Sequence, residues 1–211
     1  MQEQGLRSLG AIVRGNRYVT ANKKIKTPED LEDFVIRTPE STMTVATFEA
    51  FGAKTIPLAF SEIYTSIESG LIDGQENTLA NIYDAELYEV QDYVIETEHM
   101  MGWVYFAISE ARFSSFPEEI QTAIAESAEE AVSYEHALFL EEEEMIRQDL
   151  TEKGMKFVKV DRETFKEQAL EGVIGTLTDK QKELYEKIVE ADPDYVPATT
   201  EDTETTTEIE E

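Results

Sequence analysis

Cysteine is absent from the 211 residues, which excludes disulfides, thiolate metal sites and a cysteine nucleophile. The compartment stays open, because many exported bacterial proteins also lack cysteine. Basic residues are scarce: 18 Lys and Arg stand against 46 Asp and Glu, a formal net charge of -28. Such a surface repels nucleic-acid phosphates and anionic membranes, so neither is expected as a partner. It also repels anionic ligands at long range, so any anion site must be a local island of positive charge. The acid excess fits a protein adapted to high salt, where screening relieves self-repulsion. No apolar run approaches the ~20 residues that span a bilayer, so no direct membrane insertion is expected. The opening residues, Met1 to Gly5, lack the basic and apolar regions of a signal peptide. Only two histidines occur, His99 and His136, without metal-ligand spacing between them. No phosphate loop, nucleophile elbow or zincin motif is present. The reading is therefore of a non-enzyme needing neither cofactor nor metal.

What is present is enough to fold. Apolar residues make up 41%, including nine Tyr and ten Phe, so a sizeable core can be buried. Leu6 to Val13 reads as a strand and Gly15-Asn16-Arg17 as a turn. Thr27-Pro28-Glu29-Asp30 starts a short helix with a Thr cap, a Pro at the first position and acids in the first turn. Phe34 to Ile36 reads as a buried strand, Ser41 to Phe51 as a helix closed by Gly52, and Thr55 to Ala59 as a strand weakened by Pro57. Ser61 is placed to cap a helix through Ser69 that buries Ile63, Tyr64 and Ile67, and Leu71 to Asp73 resumes extended chain. Strand and helix alternate over short connections, the pattern of a parallel-type α/β sheet.

Trp103 to Ser109 is a further strand, with Trp103 expected to pack rather than to stack on a ligand. Residues 117–153 form the longest periodic segment, a helix with Ile120, Ile124, Ala131, Tyr134, Leu138 and Met145 near one face. The Glu141 to Glu144 run is a solvated part of it. Met155 to Val160 follows as a strand and Thr178 to Ala191 as a closing helix. Residues 1–191 thus form the folded part. Residues 192–211 are an acidic Thr/Glu-rich tail, expected to be disordered because it holds too little apolar surface to bury.

Four segments carry more than fold information: Gly15-Asn16-Arg17, Val35-Ile36-Arg37-Thr38-Pro39-Glu40-Ser41, Pro57-Leu58-Ala59-Phe60-Ser61-Glu62-Ile63-Tyr64 and Ile72-Asp73-Gly74-Gln75-Glu76-Asn77. In this order and spacing the chain resembles the substrate-binding proteins of tripartite ATP-independent periplasmic (TRAP) transporters, the DctP-like family. The resemblance runs from about Gly5 to Gly154 and more loosely to Ala191. It implies an α/β, periplasmic-binding-protein-like two-lobed fold, here the C-terminal portion lacking most of the N-terminal lobe. It implies a periplasmic or extracytoplasmic receptor for a small organic carboxylate that hands its solute to TRAP membrane permease subunits. The alternative is a truncated fragment that binds nothing and acts as a structural or interaction module.

Arg37 falls at the carboxyl end of a strand, where open α/β sheets gather ligands. Its guanidinium offers a planar fork that matches a carboxylate. Residue chemistry alone favours an Arg paired with a surface acid; the resemblance reverses this and assigns it the carboxylate clamp. Asn77, read as a turn residue that could satisfy local backbone, is assigned to the same carboxylate. Arg17 matches a second family Arg and otherwise reads as a loop charge. Phe60 reads as an apolar wall or as plain core. Ser41, on the loop behind Arg37, completes the candidates.

Overall fold

A computed structural model describes residues 4–191; the acidic tail expected at 192–211 lies outside the described residues. Six strands make the central sheet: β2 (Tyr18–Ala21), β3 (Val35–Thr38), β4 (Lys54–Pro57), β5 (Gly74–Asn77), β6 (Tyr93–Glu96) and β8 (Lys156–Lys159), in the order β4-β3-β5-β2-β6-β8. The expected parallel sheet is instead mixed. β3 runs parallel to β4 and β5, and β6 to β8, but β2 lies between β5 and β6 antiparallel to both. Five strands therefore end at one edge of the sheet, and β2 begins there. A separate ribbon pairs β1 (Leu6–Asn16) with β7 (Met101–Ser109). It leaves the sheet at that same edge, because β1 runs directly into β2, and β7 follows the segment that leaves β6.

Alternation across the pleat sorts side chains onto two faces. On one, Val19, Ile36 and Ile95 pack with Phe48 of α1 (Thr42–Ala50), Phe51 at its C-cap, and Phe165 and Ala169 of α6 (Arg162–Gly175). The rings of Phe51 and Phe165 meet edge to face at 5.1 Å. On the other, Tyr18 and Val94 pack with Ile63 and Ile67 of α2 (Ile63–Glu68), Leu79 and Ile82 of α3 (Leu79–Asp84), and Leu150 near the end of α5 (Glu118–Glu152). A short α4 (Glu110–Ser114) leads into α5, and α7 (Asp179–Ala191) closes the described chain.

Several sequence expectations change. The Thr27-Pro28 start yields only a 3-10 turn, Pro28–Leu31. Gly15-Asn16-Arg17 does not reverse the chain: β1 ends at Asn16 and β2 starts at Tyr18. Gly15 has φ 80°, and a Cβ there would lie 2.7 Å from the Glu143 side chain and 2.8 Å from Phe139, so the glycine lets α5 approach. Ser61 is not a cap; Phe60–Glu62 form a 3-10 turn and α2 begins at Ile63. Ile63 and Ile67 are buried as expected, while Tyr64 is half-buried. Extended chain resumes at Gly74 rather than Leu71. Residues 162–175 form a helix that periodicity does not reveal.

The long helix lies where expected, but its apolar stripe is not its buried face. Tyr134 is 70% and Met145 55% exposed, whereas Ala128 and Leu150 are buried, about a quarter-turn away at ~100° per residue. Trp103 belongs to β7 as expected but is 52% exposed, so it does not pack as core.

Candidate functional site

β5 is the anomaly of the sheet. Its four residues, Gly74-Gln75-Glu76-Asn77, are all buried, although three are polar. A central strand is normally apolar, because an unpaired buried polar group costs about 1–3 kcal/mol. Gly74 is required here by contact rather than conformation: a Cβ would lie 2.1 Å from the Thr20 carbonyl oxygen and 2.8 Å from the Phe34 ring. Asp73 anchors the strand by accepting the Val35 N–H at 2.8 Å. Asn77 is therefore not in a turn, as its sequence context suggested; it is the last residue of a buried strand.

The carboxyl ends of β3 and β5 bring Arg37 and Asn77 to one edge, and the start of β2 brings Arg17 there. Arg37 is 5% exposed. Its Nε and Nη2 both donate to the Leu58 carbonyl oxygen, at 2.9 and 2.6 Å. Burial pushes its pKa below the ordinary Arg value; the Glu76 charge opposes this and the Arg17 charge adds to it. Asn77 is 2% exposed; its Oδ1 accepts from Thr78 N at 3.1 Å and from Asn81 Nδ2 at 2.7 Å. Its Nδ2 makes no hydrogen bond among the described residues.

Arg17 is not an exposed loop charge. Its Nε and Nη2 grip the two Glu76 carboxylate oxygens at 2.5 and 2.8 Å, and Nη2 also reaches the Glu76 carbonyl at 3.1 Å. Glu76 is fully buried. His99 approaches from the other side, Nε2 to Glu76 Oε2 at 3.1 Å, with its Nδ1 2.8 Å from Thr97 Oγ1 and its ring edge-on to Phe48 at 5.0 Å. Burial opposes ionisation of Glu76 most strongly. The hydrogen bonds and charges of Arg17 and His99 outweigh it and hold the carboxyl below its ordinary range. Neither His99, weighed from sequence only as a metal ligand, nor Glu76 was among the candidate site residues. The clue was that both arginines needed a counter-charge and the Gln-Glu-Asn string carried one.

The other two arginines of this edge are also paired: Arg147 with Glu96 at 2.8 Å, and Arg162 with Glu98. Among the described residues, Arg37 alone of these four has no carboxylate partner. Phe60 stands 45% exposed just beyond β4. Ser41 caps α1, its hydroxyl accepting Thr44 N–H at 3.3 Å. Beside the Glu76–His99 pair lies a mostly apolar cavity of about 440 Å³ between α1, α6 and residues 97–100; it does not include Arg37, Asn77, Arg17, Phe60 or Ser41.

The strands thus end around a buried guanidinium, Arg37, that among the described residues has no carboxylate partner. The chain belongs to the bacterial extracellular solute-binding protein family 7, the DctP family, which matches residues 1–181. It is 36% identical over 188 residues to a solute-binding protein of Roseobacter denitrificans, covering 89% of this chain and 58% of that one. It is 35% identical over 167 residues to the 2,3-diketo-L-gulonate-binding periplasmic protein of Escherichia coli, covering 78% and 51%. A crystal structure of the Roseobacter denitrificans TRAP solute-binding protein with bound L-galactonate superposes with a TM-score of 0.79 at 37% identity, over 87% of this chain and 61% of that one. Another, from Xanthobacter autotrophicus with bound β-D-galacturonate, gives a TM-score of 0.82 at 28% identity, over 89% and 63%. The chain thus spans about 58% of the length of that curated relative, and its α/β fold is that of TRAP periplasmic solute-binding proteins.

Proposed function

We propose that the chain is the ligand-reading part of a TRAP-type solute receptor, in which Arg37 and Asn77 grip the carboxylate of a small organic acid. The supporting observation is the buried Arg37 guanidinium at the carboxyl ends of the strands, without a carboxylate partner among the described residues. A carboxylate arriving there meets a fixed fork of donors in a site shielded from water, where charge-assisted hydrogen bonds are strongest. Asn77 Nδ2 adds a directional donor from the neighbouring strand. Phe60 supplies an apolar wall at the rim. Arg17 is paired with Glu76, so the uncompensated positive charge of this edge falls to Arg37, an island within an acidic surface. Sugar acids are named on several of the relatives: L-galactonate, β-D-galacturonate and 2,3-diketo-L-gulonate. Delivery of the solute to TRAP membrane permease subunits, in the periplasm, completes the reading.

Isothermal calorimetry against these acids and a C4-dicarboxylate tests it. A sugar acid binds at micromolar or better affinity, and Arg37→Ala loses about 2–5 kcal/mol, the cost of leaving a carboxylate without its partner. Unchanged affinity in the variant ends the assignment. A second reading is a non-binding structural or interaction module. It is supported if no acid raises the melting temperature.

A further inference from the structure

The Asn77 amide can serve the proposed anchor in only one of its two orientations. With its nitrogen presented it offers donors to a carboxylate; with its oxygen presented it repels one. A half-turn about a single bond exchanges the two ends, so the useful orientation has to be held.

Two donors hold it. The Thr78 backbone N–H donates to Asn77 Oδ1 at 3.1 Å, and Asn81 Nδ2 donates to the same oxygen at 2.7 Å. A backbone N–H can only donate, so the atom facing it must be the amide oxygen. That choice fixes the second amide in turn. Facing an oxygen that carries no proton, Asn81 must present its nitrogen. Asn77 Nδ2, which makes no hydrogen bond among the described residues, is left with donors only.

The chain reaches this arrangement by local geometry. Asn77 ends β5, Thr78 is the N-cap residue of α3, and Asn81 is the third residue of that helix. Helical side chains lean toward the N-terminus and meet the residue one turn back, so position 81 reaches position 77. Asn is a weak helix former, and Asn81 is half-buried, so neither helix propensity nor an apolar core accounts for it.

The consequence is selectivity. Arg37 is Cα partner to Gln75 across β3–β5, and Asn77 lies two residues further along β5, so Arg37 and Asn77 share a face of the sheet. A guanidinium has no acceptor, and Asn77 as held presents none. A carboxylate satisfies such a pair with its two oxygens, whereas the corresponding carboxamide turns an NH2 toward a donor.

We propose that Asn81 is the positioning residue that sets the specificity of the anchor: by occupying the Asn77 oxygen it commits Asn77 to donate, and so selects an acid over its amide. The selectivity rests on the solute-receptor reading; the orientation of Asn77 does not.

The test uses the full chain with its side-chain amide resonances assigned. Asn81→Asp replaces the donor by a charged acceptor and turns the Asn77 amide round, because a charge-assisted bond outweighs the neutral one to Thr78. The Asn77 Nδ2 protons then exchange more slowly with water, and the Thr78 N–H, deprived of its acceptor, exchanges faster. A purely packing role would move neither. Asn81→Ala speeds exchange at Thr78 without slowing it at Asn77. Both substitutions suit the first turn of a helix, so folding is retained. For the sugar acid that the wild type binds, calorimetry shows affinity reduced about fivefold in Asn81→Ala and about a hundredfold in Asn81→Asp, and the preference for the acid over its amide shrinks in both. Exchange at Asn77 Nδ2 and Thr78 N–H that is the same in all three proteins overturns the inference, even if Asn81→Asp weakens binding, since repulsion alone would do that. A wild type that binds no acid defeats the receptor reading instead, and the exchange measurement still decides the role of Asn81.

Discussion

Arg17 closes on Glu76 in a fork, Nε and Nη2 on the two carboxylate oxygens at 2.5 and 2.8 Å, while His99 holds the second face of the same carboxylate at 3.1 Å. The acid is fully buried in a central strand, and the arginine sits where the ribbon enters the sheet. One ion pair thus fastens the start of β2 to β5 at the edge where Arg37 lies, and among the described residues Arg37 has no carboxylate partner.

Glu76→Gln should lower stability at neutral pH by about 3 kcal/mol, since removing one partner of a buried pair leaves the other charge uncompensated. Urea unfolding of variant and wild type measures it. A difference within 0.5 kcal/mol, the ordinary spread of a neutral surface substitution, would show that the pair contributes little.

The same carboxyl sets an acid limit. Its folded pKa lies below its ordinary value, so Glu76 binds protons more weakly in the native than in the unfolded chain. The stability it contributes is complete above the unfolded value, about 4.3 for a glutamate, and drains away as pH falls through the folded value. The wild type should lose stability below about pH 4 more steeply than Glu76→Gln, as followed by circular dichroism across an acid titration.

Gly74→Ala should be among the most disruptive single substitutions. The added methyl meets the Thr20 backbone oxygen at 2.1 Å, and β5 cannot shift without breaking its pairings to both β2 and β3. A loss above about 3 kcal/mol, or failure to fold, is expected; a variant with an unchanged melting temperature would show that the sheet yields here.

Ser41→Ala removes the N-cap of α1 and should cost about 1 kcal/mol, while Ser41→Gly should cost only a few tenths. Chemical denaturation separates the two. Equal losses would mean that the hydroxyl acts other than as a cap.

The charge of -28 predicts a melting temperature that rises from low to molar salt as self-repulsion is screened. A melting point insensitive to salt would remove the high-salt interpretation of the acid excess.

Much of the scaffold was legible because it depends on local rules. The α1 helix, the Gly52 stop with its φ of 80°, the β3 and β4 strands and the 35-residue α5 follow from conformational freedom and periodicity. Other elements were not legible. β5 reads as a polar turn because Gln, Glu and Asn seldom fill a central strand. Its polarity is tolerated only because Arg17, His99 and Thr20 arrive from distant parts of the chain. The buried face of α5 could not be read from its stripe either, since β1 and α3 decide which side is covered.

The order of residue types along the chain therefore determined the family, the alternation of strand and helix, and an arginine at the end of a strand. Tertiary structure alone decided which arginine is neutralised and which is left without a carboxylate. That outcome depends on counter-charges far apart in sequence: Glu76 meets Arg17, Glu96 meets Arg147 and Glu98 meets Arg162. Coulombic pairing acts through distance in space, which separation along the chain does not encode.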